Sequence, residues 1–350
     1  MVSVPFNVAS FGATLIQEAR RVMDVMLHLG AHRTGTTTFQ SYLERNRTRL
    51  SQAGIAVWTP ERTRGGLLAG LIHRPADINA EVARRAQRST GLVQVERQVL
   101  ERAGHHSLLV SEENMIGAAR NNLREERLYP DLLERLMRFR AAMEGAVTRI
   151  GLCLRSYDGF WSSSLAFAVA QGHAVPSQSD LDRLTTQPRR WRDVVRDVAS
   201  VFPAAELVVW PFERFVDTPR QQLDLMVPQA AALDLSATDD WRNPAPRLER
   251  LRELVAERGD LSGLSRLPAG QGRWMPFDDA QRTMMRDIYA EDLEWLRSGA
   301  DGFARFAETS RMQLPETAVT LTHKEFMGDS AGRWSPQTGG RYDGKQRYLV

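Results

Sequence analysis

Lysine is almost missing from this chain of 350 residues. Of the 46 basic residues, only Lys324 and Lys345 are lysines, and all the others are arginines. A GC-rich coding bias accounts for most of this preference, but the preference also has a chemical consequence. Mechanisms that need a lysine upstream of Lys324 are excluded, among them a Schiff-base lysine and the lysine of an N-terminal nucleotide-binding loop.

Cysteine and long apolar runs are scarce as well. Cys153 is the one cysteine, which excludes an intrachain disulfide and a cysteine-rich metal site. Because it lies in the apolar stretch 150–154, we expect a buried thiol. No stretch reaches the roughly 18 apolar residues of a membrane span, and residues 1–21 lack the features of a signal peptide. We therefore expect a cytoplasmic protein without a membrane span.

A strong excess of charge is also lacking. The 46 basic residues are nearly balanced by 43 acidic residues, which leaves a formal net charge of +3. The cations do not cluster along the sequence, and clustering is what an electrostatic footprint for nucleic acid requires. We predict no nucleic-acid partner.

Short apolar runs alternate with helical patterns along the chain. The runs of strand length are 25–29, 55–58, 107–110, 147–154 and 207–210. This alternation predicts a three-layer α/β fold, in which helices flank a mostly parallel sheet of four to five strands. We predict one such domain over residues 23–305, preceded by an N-terminal extension over 1–22. The polar residues 306–350 predict a tail that is either partly disordered or folded as a strap over the site.

One segment, LHLGAHRTGTTT from Leu27 to Thr38, joins the first strand to the first helix. Gly30 and Gly35 can adopt positive φ, which lets backbone N–H groups approach an anion. The helix that begins near Thr36 adds the positive end of its dipole. Arg33 supplies a permanent cation, and the threonines supply hydroxyl donors. We therefore predict an anion-binding loop that contains Gly30, Arg33, Thr34, Gly35, Thr36 and Thr37.

The two glycines of this loop have the GxxxxG spacing of the Walker A motif of P-loop proteins. In that motif a lysine follows the second glycine, and here Thr36 stands in its place. A magnesium-dependent phosphoryl transferase relies on that lysine and on a metal to neutralise phosphate charge. A metabolite kinase on the P-loop fold is therefore the less favoured alternative.

The loop resembles the 5′-phosphosulfate loop of sulfotransferases that use 3′-phosphoadenosine 5′-phosphosulfate. The run HLGAHRTGTTTFQSYLERN is similar to bacterial members of that family in particular. The resemblance implies a P-loop fold and in-line transfer of a sulfuryl group from this co-substrate to a hydroxyl or amine, without a metal. It also implies a catalytic role for Arg33, at a position where the family usually has lysine. A relative that binds nucleotide but is catalytically inactive is the alternative.

A second feature of the resemblance follows the strand 147–154. The family signature for the 3′-phosphate begins with an arginine at a strand end and has a serine eight residues later. Arg155 and Ser163 have this spacing, so the resemblance implies that they bind the 3′-phosphate. Ser162 and Ser164 are alternatives to Ser163. Tyr157 stands where the family often has proline, which leaves the shape of the turn open.

Sulfuryl transfer needs a base that accepts a proton from the acceptor. Glu113 is the candidate, because it follows the strand 107–110 and strand C-terminal ends gather at the ligand crevice of a parallel sheet. Relatives often show Ser-x-Glu there, which favours Glu113 over Glu112. The alternative is a carboxylate at a helix N-terminus with Ser111 as the cap. We interpret His28 as a packed strand residue and expect His32 to face the donor or the acceptor.

The acceptor is the least defined part of the sequence. Residues 59–102 and 172–190 contain several arginines, which indicates an anionic or polyol acceptor, either a small molecule or a glycan. The tail fragment Lys324–Asp329 resembles the strap that closes over the nucleotide in cytosolic sulfotransferases, although Glu325 replaces its first glycine. The sequence leaves the oligomeric state open.

Overall fold

Six strands form a single parallel sheet in the computed structural model, which describes residues 23–237 and 244–308. The spatial order of the strands is β2-β3-β1-β4-β5-β6, and each neighbouring pair is parallel. The predicted α/β class and parallel sheet are confirmed. The predicted strand count of four to five is wrong, because the two residues of β6 are too few to show an alternating pattern. The strands are β1 (Asp24–His28), β2 (Ile55–Trp58), β3 (Ser107–Ser111), β4 (Val147–Leu154), β5 (Glu206–Pro211) and β6 (Arg305–Phe306).

Helices occupy most of the connections between these strands. Several begin with a capping box, in which the N-cap side chain and a side chain three residues later satisfy each other's backbone N–H, as at Ser177 and Asp278. The α-helices of the described residues are α1 (Thr36–Arg45), α2 (Arg47–Gln52), α3 (Pro60–Arg62), α4 (Ala80–Arg102), α5 (Ala119–Arg124), α6 (Leu132–Ala142), α7 (Tyr157–Ala170), α8 (Gln178–Thr185), α9 (Trp191–Val201), α10 (Phe212–Phe215), α11 (Pro219–Met226), α12 (Leu248–Glu257), α13 (Leu261–Arg266) and α14 (Asp279–Arg297).

Both faces of the sheet are covered by hydrophobic core, which is the arrangement that a parallel sheet requires. Side chains alternate between the two faces along each strand, so Leu108 and Val110 of β3 join the larger cluster while Leu109 joins the smaller one. The larger cluster includes residues of α4, α6, α7, α9, α12 and α14. The smaller cluster includes residues of α1 and α11. Cys153 lies in the smaller cluster and is buried, as predicted, and burial raises the pKa of its thiol.

Strand β1 lies at the centre of the sheet, between β3 and β4. The chain leaves β1 toward β2 on one side and later places β4 on the other side. A crevice forms at such a switch point, outside the carboxyl ends of the strands. The segments that follow β1, β3 and β4 therefore lie at the same edge of the sheet, and these segments carry the predicted site residues.

Some predictions concern residues outside the described part of the chain. They are the N-terminal extension 1–22, the tail beyond residue 308 and its strap-like fragment Lys324–Asp329. Within residues 23–237 and 244–308, no helix combines the length and the apolar character needed to cross a membrane.

Candidate functional site

The loop between β1 and α1 has a backbone that few side chains tolerate. Gly30 and Gly35 have φ of 42° and 77°, and Arg33, which has a side chain, has φ of 63°. A Cβ atom at Gly30 would collide with Cγ2 of Thr36 and lie 3.0 Å from Cε1 of His28. Non-glycine residues at positive φ are uncommon and concentrate at functional sites. The loop is thus held in one tight conformation in which Arg33 is the strained residue.

The side chain of Arg33 reaches from this loop to helix α7. Its Nε donates a hydrogen bond of 3.0 Å to Oγ of Ser163, and its guanidinium lies 4.9 Å from the ring centre of Phe167. Burial lowers the pKa of Arg33 to about 10, so the group remains a cation at neutral pH. The structure thus brings together Arg33 and Ser163, which are 130 residues apart in the sequence.

Arg155 joins these two residues from the end of β4. It is 8% exposed, donates a hydrogen bond to the backbone carbonyl of Arg33 and lies 4.4 Å from the ring centre of Phe212. Burial, with the charges of Arg273 and Arg33 acting in the same sense against Glu213, lowers its pKa to about 10. We call Arg33, Arg155 and Arg273 the arginine cluster. Three guanidinium cations around one carboxylate make this part of the site attractive to an anion.

Helix α7 shows which serine belongs to the cluster. Ser163 is the residue that accepts from Arg33, whereas the buried Oγ atoms of Ser162 and Ser164 have no hydrogen-bond partner in the described structure. Tyr157 begins α7. Its hydroxyl donates to Oδ2 of Asp292 at 2.5 Å and accepts from the backbone N–H of Trp191 at 2.6 Å. Tyr157 therefore anchors the start of α7 to α9 and α14.

The threonines of the loop point in different directions. Thr34 is buried, and its hydroxyl donates to the carbonyl of Ala31 at 2.5 Å, so it supports the loop from within. Thr36 is buried beneath Gly30. Thr37 is partly exposed and lines a cleft beside α1. Helix α1 begins at Thr36, and its N-cap residue Gly35 provides no side-chain cap; the backbone N–H of Thr38 donates to the Gly35 carbonyl at 3.0 Å.

Glu113 lies beside Glu112 just after β3, and we call these two residues the acidic pair. Arg64 donates to both, with its Nη2 2.8 Å from an oxygen of each carboxylate. Glu112 is 1% exposed and also accepts from the Thr63 hydroxyl at 2.6 Å and the Asn114 backbone N–H at 3.1 Å. Glu112 is therefore the cap of the 3-10 turn at Glu113–Met115. The expectation that Ser111 caps this turn is wrong.

Glu113 is the member of the pair that retains some exposure. Gln40 of α1 donates to its Oε2 at 2.8 Å, and Arg64 donates to its Oε1. Burial raises the pKa of Glu113, but the charges of Arg64 and His32 and the hydrogen bond from Gln40 outweigh it, so the pKa lies below its usual value. Glu113 is ionised at neutral pH, and Arg64 weakens it as a proton acceptor.

The two histidines near the loop are held by neutral partners. Nδ1 of His28 lies 2.8 Å from the hydroxyl of Ser111, and its ring packs between Phe39 and Trp210. Burial lowers the pKa of His28 to about 4. His32 lies between the Tyr129 hydroxyl and Asn114, and burial lowers its pKa as well, against the opposing charge of Glu113. Both rings are therefore neutral at pH 7.

A cleft of about 500 Å³ lies beside α1. One wall consists of polar α1 residues at helical spacing, and the other is the segment Thr59–Glu61 after β2. Gln40, which holds Glu113, is part of this wall. We call this space the α1 cleft. Its α1 residues are Thr37, Gln40, Ser41, Glu44 and Arg45.

Sequence reasoning missed Arg273, Arg64 and Gln40. Arg273 follows Gly270 and Gly272 in a stretch without helix or strand pattern, so nothing in the sequence placed it beside Arg155. Arg64 comes from the irregular turn Thr63–Leu67, which has two adjacent glycines. Gln40 had a usable signal, because it lies one helical turn after Thr36 and so belongs near the loop.

Comparison with known proteins adds no family assignment. No family model, no curated protein and no solved structure matches the chain. Within the described ranges, no group of three or more histidine, cysteine, aspartate or glutamate side chains is arranged to hold a metal ion. A site without a metal stays a prediction.

Proposed function

We propose that the protein is a sulfotransferase that moves a sulfuryl group from 3′-phosphoadenosine 5′-phosphosulfate to a hydroxyl or amine acceptor. The observation that supports this most is the contact between Arg33 and Ser163, with Arg155 bound to the carbonyl of Arg33. The loop and the second phosphate motif were inferred separately from the sequence. A co-substrate with a 5′-phosphosulfate and a 3′-phosphate needs both in one crevice.

The chemistry assigns a task to each group. The acceptor oxygen or nitrogen attacks sulfur, the bond between sulfur and the bridging oxygen breaks, and the bisphosphate leaves with the electron pair of that bond. Arg33 and the N–H groups at the start of α1 stabilise the negative charge that develops on the leaving phosphate. Glu113 accepts the proton of the acceptor. Arg155, Ser163 and Arg273 hold the 3′-phosphate and so place the sulfur in line.

Replacing Arg155 with alanine tests the second phosphate site. We expect the affinity for 3′-phosphoadenosine 5′-phosphate, measured by calorimetry, to fall about 30- to 100-fold, because hydrogen bonds to charged groups contribute about 1.5–3 kcal/mol. Arg140→Ala, which removes an exposed arginine of α6, is the matched control and should bind like the wild type. Equal affinity of the wild type for ADP, which lacks the 3′-phosphate, would contradict the proposal.

The pH dependence tests Glu113 as the base. In the wild type, Arg64 lowers the pKa of this carboxyl, so kcat/KM should persist to low pH before it declines. In Arg64→Met the burial of Glu113 is no longer opposed by the charge of Arg64, so the pKa of Glu113 rises. The decline of kcat/KM on acidification then begins at a higher pH. Arg64→Lys, which keeps the cation, should restore the wild-type profile.

One further measurement makes this result decisive. Urea unfolding of the same variants separates a changed pKa from a loss of fold, since Arg64 also neutralises the buried Glu112. An acid limb that stays in place in a folded Arg64→Met protein would show that Glu113 is not the base.

A nucleotide-binding relative without catalysis is the second candidate. The ion pair between Arg64 and Glu113 favours it, because a paired carboxylate is a weak base. Product analysis over a panel of hydroxyl and amine acceptors separates the two functions. Tight binding of the bisphosphate with no sulfated product would support the second candidate.

A further inference from the structure

The α1 cleft has no ligand in the proposed mechanism. We propose that it binds the acceptor and that the acceptor is an uncharged carbohydrate. This inference rests on the proposed function, and it chooses between the anionic and polyol acceptors that the sequence leaves open. The cleft has a volume of about 500 Å³, which is within the range of about 300–1,000 Å³ typical of small-molecule sites.

The cleft wall follows from the amphipathic character of α1. Phe39, Tyr42 and Leu43 are buried and join the core beneath the sheet. The cleft residues Thr37, Gln40, Ser41 and Glu44 recur at intervals of three and four, so they share another face of the same helix. The partly exposed hydroxyls of Thr37 and Ser41 thus face one space. The amide of Gln40 donates to Glu113, and the carboxylate of Glu44 is engaged by Arg47.

These groups match the surface of a sugar. Each hydroxyl of a carbohydrate is both donor and acceptor, and the hydroxyls of Thr37 and Ser41 supply complementary groups. The exposed carboxylate of Glu61 adds an acceptor from the opposite wall. A site built to hydrogen-bond several hydroxyls discriminates strongly against ligands that lack them.

The charges near the cleft favour an uncharged ligand. Glu44 pairs with Arg47 at 2.5 Å and accepts from Thr59, so its charge is largely balanced. Glu61 and Arg45 place one carboxylate and one guanidinium on opposite walls of the cleft. The walls therefore present polar groups without a strong field of either sign.

The case for an anionic acceptor is weaker in the structure, because several of the arginines that indicated it pair with carboxylates of the protein. The sequence indicated one through the arginines of residues 59–102 and 172–190. In the first segment Arg62, Arg64 and Arg74 pair with carboxylates, and in the second Arg183, Arg189 and Arg190 do so. These cations are neutralised by the protein itself.

The cleft also leads to the reacting groups. Gln40 belongs to its wall and donates to Glu113, so a ligand hydroxyl beside Gln40 lies next to the proposed base. Thr37 belongs to the same wall and is also the last residue of the anion-binding loop. An acceptor in this cleft therefore lies beside the donor loop and beside Gln40, which holds the proposed base.

Two readouts test the proposal. Saturation-transfer NMR with glucose, maltose and lactose measures sugar binding directly, and sulfation assays compare these sugars with glucuronate and 2-naphthol. We expect kcat/KM for at least one neutral sugar to exceed that for the anionic and aromatic acceptors at least tenfold. Ser41→Trp, which fills the cleft, should weaken sugar binding and raise the KM for the sugar at least tenfold while the Kd for the bisphosphate stays the same.

Thr48→Trp places the same side chain on an exposed position of α2, outside the cleft. It should leave the KM for the sugar and the Kd for the bisphosphate unchanged. Preference for glucuronate or 2-naphthol, or unchanged sugar binding in a folded Ser41→Trp protein, would overturn the carbohydrate proposal and leave the sulfotransferase proposal standing. Failure of the wild type to bind the bisphosphate would instead overturn the sulfotransferase proposal, and the acceptor role of the cleft with it.

Discussion

Replacing Arg33 with alanine is expected to lower kcat for sulfuryl transfer about 10³-fold, as loss of a preorganised donor to a developing charge does in other enzymes. The guanidinium is fixed by Ser163 and Phe167 before any ligand arrives, so its contribution needs little rearrangement. Binding of the bisphosphate should fall as well, because the leaving phosphate carries its full negative charge in this product. Product formation under saturating donor measures the effect.

Arg33→Lys is the informative companion to this variant. Alanine, lysine and arginine all carry a Cβ, so the strain at φ 63° is the same in all three proteins. Lysine keeps a cation at this position and is the residue usual there in the sulfotransferases that the loop resembles. We therefore expect sulfuryl-transfer activity to be retained or increased. A folded Arg33→Lys protein without turnover would show that the loop works by another chemistry.

Asp292→Ala is expected to destabilise the protein by about 3–5 kcal/mol, the cost of breaking a buried charge pair. Asp292 is fully buried in α14 and accepts from the Tyr157 hydroxyl at 2.5 Å, from Nε of Arg192 at 2.7 Å and from the Trp191 backbone N–H at 3.2 Å. The substitution leaves these donors without their common acceptor. Urea unfolding should show a lower midpoint with an unchanged slope.

Glu291 offers the control, because it is the preceding residue of the same helix. Its carboxylate is exposed and pairs with Arg190 at 2.6 Å. Exposed pairs contribute little, so Glu291→Ala should cost less than about 1 kcal/mol. Similar losses in both variants would mean that the buried network contributes no more than a surface ion pair.

The fold was predictable where its determinants are local. Runs such as 107–110 and 207–210 have the length and apolar character of buried strands, and the structure has strands there. The break at Asn46 between α1 and α2 depends instead on hydrogen bonds to Ser236, 190 residues away. Strand β6 likewise depends on pairing with β5 and not on its own two residues.

The residues of the candidate site also fall into those with local sequence signals and those placed by long-range contacts. Arg33 and Arg155 could be predicted as candidates because they follow β1 and β4, and Ser163 because of its spacing from Arg155. The position of Arg273 beside Arg155 and the pairing of Arg64 with the acidic pair arise from irregular segments folding back across the crevice. Local patterns carry no information on such contacts, since side chains from distant segments decide them.

The hydrogen bond from Arg155 to the carbonyl of Arg33 joins the two halves of the site mechanically. Arg155 is the group proposed to hold one phosphate, and it also restrains the strained residue that faces the other. A ligand that draws this guanidinium away from the carbonyl alters the energy of the loop, and thermodynamic linkage makes the effect reciprocal. If the donor binds as proposed, we expect its two ends to bind cooperatively, so that the affinities of its separate fragments do not add to that of the whole.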